Sequence, residues 1–365
     1  MITPVFWQGK RVLVTGHTGF MGGWLTLWLA HLGARVTGYA LAPPSQPNLF
    51  EVARVADGVR HEIGDIGEAE RLQRLVQEVQ PEVVFHLAAQ PLVRYSYQAP
   101  VETYASNVMG TLHVLEAIRH AGGVRAAVLV TTDKCYENNG WHWGYREIDR
   151  LGGHDPYSSS KAAAEILIGS YRHSYFTPGE GGTRPPAIAS VRVGNIIGGG
   201  DWATDRLIPD IMRSFSKGEP VLIRNPAMTR PWQHVLEPLR GYLMLAEQLC
   251  HATDGHTFAE AWNFGPDDSD AKPVIWIVEQ LVKRWGEGAA WTLDQGAHPH
   301  EATLLKLDSS KAKARLKWFP AWNLDQVLTH TLEWYRRHGR REDMRAVCME
   351  QIASYQEISS RHDHA

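Results

Sequence analysis

The chain has 365 residues, enough for one large α/β domain with an appended lobe or for two domains, each able to bury a core. Its 37 lysines and arginines nearly balance 40 aspartates and glutamates, so no electrostatic footprint for DNA or RNA is present. Cys135, Cys250 and Cys348 are too few and too scattered for a disulfide framework or a CxxC zinc site.

No apolar run approaches the roughly 18 residues of a membrane span, and residues 1–10 lack the order of a signal peptide, so a cytoplasmic protein is expected. Those ten residues run directly into an apolar strand over 11–15, which stops at glycines before a buried helix over 24–32. A strand over 34–39 and a proline-rich connection over 43–47 follow. Next come a helix over 68–79, a strand over 83–86, a helix over 107–120 and a strand over 126–131. Strands alternating with helices of this length imply a parallel sheet covered on both faces.

Asp155-Pro156 opens a further helix, with Asp as cap and Pro at the first helical position. Residues 179–186 read as a glycine- and proline-rich surface loop, and 188–193 as a strand. Beyond 194 the alternation weakens and Trp, Pro and short elements dominate. The expected architecture is therefore α/β: a Rossmann-type doubly wound parallel sheet over 1–193, with a smaller mixed α/β C-terminal substrate lobe over 194–365. A segment near 233–265, ending in a strand-like run at 261–265, is expected to return to the sheet. The arginines of 336–345 read as a solvated helix face.

Between the first strand and first helix stands Thr15-Gly16-His17-Thr18-Gly19-Phe20-Met21-Gly22, a GxxGxxG turn whose backbone N–H groups can hold a pyrophosphate. The second strand ends in Tyr39-Ala40-Leu41, without the acidic residue that reports NAD or an arginine that reports NADP, so the motif leaves that choice open. Asp65 can bond an adenine amino group or can be an ordinary turn aspartate. Tyr157 and Lys161 lie four apart on one helical face, where a lysine charge favours the phenolate. Thr132, at the carboxyl end of a strand, can bond a reacting hydroxyl, and Asp133 and Lys134 need a bend after it to reach the same substrate. Lys134 can alternatively be a surface lysine pairing with Glu137. Arg206 and Arg230 are candidates for a diphosphate clamp. The run Gly198-Gly199-Gly200-Asp201-Trp202 suits a nucleotide pocket or a packed loop. His17, His154 and His300 lack metal-ligand spacing, so no metal is expected.

Together with His86-Leu87-Ala88-Ala89-Gln90, Asn107 and Arg192-Val193-Gly194-Asn195, these motifs resemble the extended short-chain dehydrogenase/reductase family, in its nucleotide-sugar branch, over essentially the whole chain. Thr131 to Asn138, Trp143 to Glu147 and Arg230 to Val235 resemble the CDP-glucose 4,6-dehydratases within that branch. Their relatives acting on dTDP-glucose carry Asp-Glu where this chain has Asp133-Lys134.

The resemblance implies NAD as cofactor, held by Gly16, His17, Thr18, Gly19, Phe20, Met21, Gly22, Asp65, Ile66, Leu87, Ala88, Ala89, Asn107, Tyr157 and Lys161. It implies CDP-glucose as substrate, contacted by Gln90, Asn195, Arg206, Arg230 and Asn263. Tyr157 would deprotonate the C4 hydroxyl with Thr132 orienting it, and Asp133 would protonate the leaving C6 hydroxyl. Lys134 would be the C5 base or would stay charged and stabilise the enolate. Hydride would leave C4 and return at C6, with no net redox change. Other readings are a dehydratase for dTDP-glucose or UDP-N-acetylglucosamine, a 4-epimerase, and a non-enzymatic dinucleotide sensor. A homodimer or homotetramer and a role in deoxysugars of a surface polysaccharide are also implied.

Overall fold

A computed structural model describes residues 2–179, 184–296 and 304–362. Part of the 179–186 loop and His300 therefore lie outside the described residues. The strands are β1 (Arg11–Thr15), β2 (Arg35–Ala40), β3 (Arg60–Ile63), β4 (Val83–His86), β5 (Ala126–Val130), β6 (Ala187–Val193), β7 (Asn195–Ile197), β8 (Val221–Ile223), β9 (Thr229–His234), β10 (Ala261–Phe264), β11 (Ala271–Pro273) and β12 (Trp291–Leu293). Seven of them form one sheet in the order β10-β6-β5-β4-β1-β2-β3, and every pairing in it is parallel.

Successive side chains of a strand point to opposite faces, and the central strands supply apolar residues to both. Val12, Val14, Val83, Phe85, Ala126 and Val128 pack on one side with Trp24, Leu27 and Trp28 of the Phe20–His31 helix. Leu13, Val84, Ala127, Leu129 and Ile188 pack on the other with Leu72, Val76, Leu115 and Ile118, from helices Ala69–Val79 and Gly110–Arg119. The doubly wound sheet expected from the alternation is the one observed. β10 joins it beside β6, so chain from beyond residue 194 does return to it. The other strands form two small sheets, β11-β9-β7 and β12-β8, beside the carboxyl ends of the main sheet.

Two local expectations are corrected. Residues 1–10 do not run straight into β1, because Pro4–Trp7 forms a short helix with Pro at its start. The buried Trp7 donates its ring N–H to the Glu247 carboxylate at 2.7 Å, which fixes the turn. The 107–120 helix begins earlier, at Pro100–Tyr104, and passes through a π turn at Ala105–Met109 before Gly110–Arg119. Asn107 sits in that turn with its amide spent inward, which explains the extra residue in the turn. The 336–345 arginines are also more engaged than a solvated face: Arg337 pairs with Glu342 at 2.6 Å, and Arg345 donates to the Arg54 carbonyl at 2.6 Å.

Candidate active site

The carboxyl ends of β4, β5 and β6 open onto a cavity of about 840 Å³, roofed by the small sheets and the Leu207–Lys217 helix. At its mouth the glycine turn connects β1 to the Phe20–His31 helix. Gly16 has φ +78°, where an L side chain is strained, and a methyl there would lie 2.7 Å from the Ala88 nitrogen. A methyl on Gly22 would lie 2.1 Å from the Gly16 carbonyl oxygen. The turn therefore tolerates only bare backbone, the cradle a dinucleotide pyrophosphate requires, and these residues fit NAD.

His17 and Thr18 offer that cradle main chain only. The His17 ring is buried against Gly38, hydrogen-bonded to His61 at 2.6 Å, and held neutral by burial and by His61, which push it down to about 3. The Thr18 hydroxyl donates to the Leu41 carbonyl at 2.8 Å. Phe20 packs near Gly198, and Met21 reaches the cavity wall. Asp65 accepts from the Gly67 N–H at 2.7 Å, the turn role, while remaining exposed. The Ile66 side chain is buried beneath Gly110. Leu87 and Ala89 line the cavity, and Ala88 abuts Gly16.

At the inner end, Thr132 keeps extended geometry and its hydroxyl caps a 3-10 turn over Asp133–Cys135, accepting from the Lys134 N–H at 3.3 Å. This is the bend that the Asp133-Lys134 pair requires. Helix Pro156–Tyr175 starts at the Asp155 cap, which accepts from the Ser158 N–H at 2.9 Å. Its first turn brings the Tyr157 phenol to the Thr132 hydroxyl. Lys161, one turn on, donates to the Val130 carbonyl at 3.2 Å. Thr132, Lys134, Tyr157 and Lys161 share the cavity wall.

The electrostatics depart from the expectation that Lys161 activates the phenol. Burial pushes Tyr157 up to about 12, against the Thr132 hydrogen bond and the Arg206 charge, which pull it down. Burial lowers Lys161 to about 8, with Glu165 opposing. Desolvation outweighs the pairing because both groups are removed from water.

Asp133 stands behind the wall, fully buried. Its Oδ1 accepts from the Thr132 hydroxyl at 3.1 Å and from the Lys134 ammonium at 3.3 Å, and its Oδ2 has no hydrogen-bond partner among the described residues. Lys134 pairs with Asp133 and not with Glu137, which meets Arg150 at 3.3 Å. Asn195 lines the cavity with its side-chain oxygen unpartnered. Arg206 also lines it, held by Asp201 at 3.1 Å, as does the buried Arg230, which donates to the Thr229 carbonyl at 3.1 Å. In the 198–202 loop, Gly199 is packed hard on Trp334 while Gly198 and Asp201 line the cavity.

Three expected contacts are off the wall. The Gln90 amide donates to Leu92 O and Thr103 Oγ1 and accepts from Leu92 N, so both its N–H groups are spent inside the fold. The Asn107 amide is taken up by both main-chain groups of Gln90 and by Ser160 Oγ. Asn263, fully buried on β10, accepts from the Tyr136 hydroxyl at 2.7 Å and donates to the carbonyls of Tyr145 and Asp308. All three brace the site from behind.

Sequence reasoning missed Glu165. Its carboxylate, buried beneath the site, accepts from Arg192 at 2.8 Å, from Ser190 at 2.8 Å and from Thr131 at 2.5 Å. Burial pushes Glu165 up, but Arg192 outweighs it and holds the carboxyl below its ordinary range. The available signal was spacing: Tyr157, Lys161 and Glu165 recur every four residues on one helical face.

A bare glycine cradle leading to a closed pocket with Tyr157 and Lys161 against Thr132 defines an extended short-chain dehydrogenase/reductase of the type that acts on nucleotide sugars. The chain belongs to the family described as GDP-mannose 4,6 dehydratase, which matches residues 13–331. It is 52% identical over 361 residues to the CDP-glucose 4,6-dehydratase of Salmonella typhimurium, covering 99% of this chain and 100% of that one. It is 27% identical to a dTDP-glucose 4,6-dehydratase of Xanthomonas campestris pv. campestris, covering 88% of this chain and 92% of that one. Among solved structures, MoeE5 in complex with UDP-glucose and NAD superposes with a TM-score of 0.73 at 26% identity, covering 90% of this chain and 99% of that one.

Proposed function

We propose that the protein is an NAD-dependent CDP-glucose 4,6-dehydratase, converting CDP-glucose to CDP-4-dehydro-6-deoxy-glucose and water. The observation that carries this reading is Lys134 on the cavity wall beside Thr132 and Tyr157, in a chain 52% identical end to end to a CDP-glucose 4,6-dehydratase. NAD, when bound, takes up hydride equivalents from the sugar at C4 and gives them back at C6.

The chain's own residues handle the protons. Tyr157 receives the C4 hydroxyl proton as the phenolate, a form that the Lys161 charge and the cationic ring of bound NAD would have to favour against the burial that raises it to about 12, and Thr132 orients that oxygen. The resulting ketone acidifies the C5 hydrogen. Lys134 stands where that proton leaves, as its acceptor when neutral or as the charge that stabilises the enolate when protonated. Asp133, hydrogen-bonded behind the wall to both Thr132 and Lys134, would have to carry a proton to supply the departing C6 oxygen and would deliver it by way of these two neighbours. Arg206 and Arg230 hold the diphosphate, with Asn195 on the same wall. The dinucleotide-binding part spans 1–193 with the returning segment near 233–265, and the remainder of 194–365 supplies the substrate lobe.

Tyr97, Val101, Tyr104, Met109 and Ile166 form an exposed apolar set on neighbouring helices beside the site, which supports a homodimer or homotetramer. Light scattering checks it. Among the described residues no helix is long and apolar enough to cross a membrane, and the proposed setting is the cytoplasm, making deoxysugar precursors for a surface polysaccharide.

The test is incubation of the purified protein with CDP-glucose, dTDP-glucose and UDP-N-acetylglucosamine, with and without NAD, followed by mass spectrometry. Loss of one water from CDP-glucose without net NADH is expected. An unchanged sugar mass with altered C4 stereochemistry means epimerase, and turnover of another nucleotide in preference overturns the CDP assignment.

A further inference from the structure

The cavity extends well past the reacting end. Beyond Arg206 and Arg230 it runs between β8 and the Leu207–Lys217 helix. With the sugar at Tyr157 and the diphosphate at the arginines, the nucleoside must occupy this outer end. Its walls are largely apolar, with Leu207, Val221 and Ile223 suited to the flat faces of a base.

Arg94, Asp205, Asp210, Arg224 and Asn225 supply its polar lining, and of these the amide of Asn225 can pair with any base whereas a carboxylate cannot. Asp205 is exposed and bridged by Arg94 at 3.3 Å and Arg224 at 3.1 Å, which engages all three across the mouth. Asp210 is different. It lines the cavity from the first turn of the helix, partly buried, with Oδ1 paired to Arg213. Its Oδ2 has no hydrogen bond within the described residues. Burial raises its carboxyl above the ordinary value in spite of the Arg213 and Arg224 charges.

A carboxylate is an acceptor only. Cytosine presents an exocyclic amine, a donor, at the ring position where uracil and thymine present a carbonyl acceptor, and carboxylates pair with that amine. We propose that Asp210 selects the base of the substrate, accepting from the cytosine amine through Oδ2 and repelling the uracil or thymine carbonyl. The assignment rests on the nucleotide-sugar reading of this same cavity and adds the group that decides which nucleotide enters. Arg213 opposes the effect of burial and fixes the carboxylate, so the penalty against a carbonyl is that of two acceptors face to face.

The experiment is calorimetric binding of CMP and UMP to the full-length protein, together with kcat/KM for CDP-glucose and UDP-glucose, in wild type and in Asp210→Asn and Asp210→Ala. The expected result is a CMP-over-UMP preference in wild type that falls by about tenfold or more in both variants, with the loss for CDP-glucose appearing in KM more than in kcat. Loss of a merely structural tie to Arg213 would weaken both nucleotides together and leave their ratio intact, and that result overturns the proposal. If wild type prefers CMP and the variants retain that preference, Asp210 is excluded while the dehydratase reading stands. If wild type binds UMP as well as CMP, both fall.

Discussion

Tyr157, Lys161 and Glu165 form a column on one helix, in which Glu165 supports the Lys161 charge. Removing the phenol leaves the C4 hydroxyl without a proton acceptor, so Tyr157→Phe is expected to lower kcat by roughly 10²-fold or more with an unchanged melting temperature. A smaller loss would assign that proton transfer elsewhere. Glu165 opposes the lowering of Lys161, whose charge persists up to about pH 8. Glu165→Gln should therefore move the alkaline limb of the kcat profile to lower pH. It also leaves the Arg192 guanidinium buried without its carboxylate, at a cost of about 3 kcal/mol, measurable by denaturant unfolding. An unmoved alkaline limb in a folded variant would show that Glu165 braces the helix without sustaining the lysine charge.

The Pro156–Tyr175 helix carries this column, and its first turn is fixed by one cap. Asp155 accepts the Ser158 N–H at 2.9 Å and its hydroxyl more closely, and Ser96 Oγ accepts from the Tyr157 N–H at 3.1 Å. Asp155→Ala should cost about 1 kcal/mol of stability and reduce kcat/KM, because fraying begins at Tyr157. Unfolding midpoints and steady-state rates on the same preparation check both effects. This element was readable in advance, since Asp-Pro is a local signal. The π turn at Ala105–Met109 was not, because it arises when Asn107 reaches Gln90 and Ser160, residues far away in the chain.

For the molecule as a whole, buried histidines set the acid limit. Burial first, and a neighbouring positive or titratable group second, lower His17 and His86 to about 3 from 6.5. The unfolded chain takes up these protons below pH 6.5, so the stability they contribute is complete above that pH and is lost as pH falls toward 3. Glu237 works in the opposite sense. Burial raises its carboxyl to about 7, so between pH 4.5 and 7 the folded state holds a proton that the unfolded chain lacks, favouring the fold on the acid side. These two histidines set against Glu237 give an uptake of roughly one proton on unfolding near pH 5.5, to which His234, His256, His330 and His338, also lowered by burial, add, while the raised carboxyls of Glu147, Asp210, Glu247 and Asp270 oppose. The melting temperature is expected to drop from pH 6 to pH 4.5, as scanning calorimetry would register. A flat or rising profile would mean that Glu237 and its like dominate.

Local patterns determined the strand and helix order, the glycine turn, the Asp155 cap and the Thr132, Tyr157 and Lys161 set, because each depends on residues a few positions apart along the chain. The strand-like run at 261–265, beyond the point where the alternation weakens, also suggested a return to the sheet, and β10 pairs there with β6. Tertiary structure alone decided which polar side chains face the cavity. Gln90, Asn107 and Asn263 carry the same amide as Asn195, yet the first three are consumed by backbone and hydroxyl partners brought from elsewhere. Of these four amides among the described residues, Asn195 lines the cavity and has its side-chain oxygen buried without a hydrogen-bond partner. Asp133 was placed behind that wall, and Glu165 beneath it, by the same cause: a buried polar group takes its partners from whatever the fold packs against it.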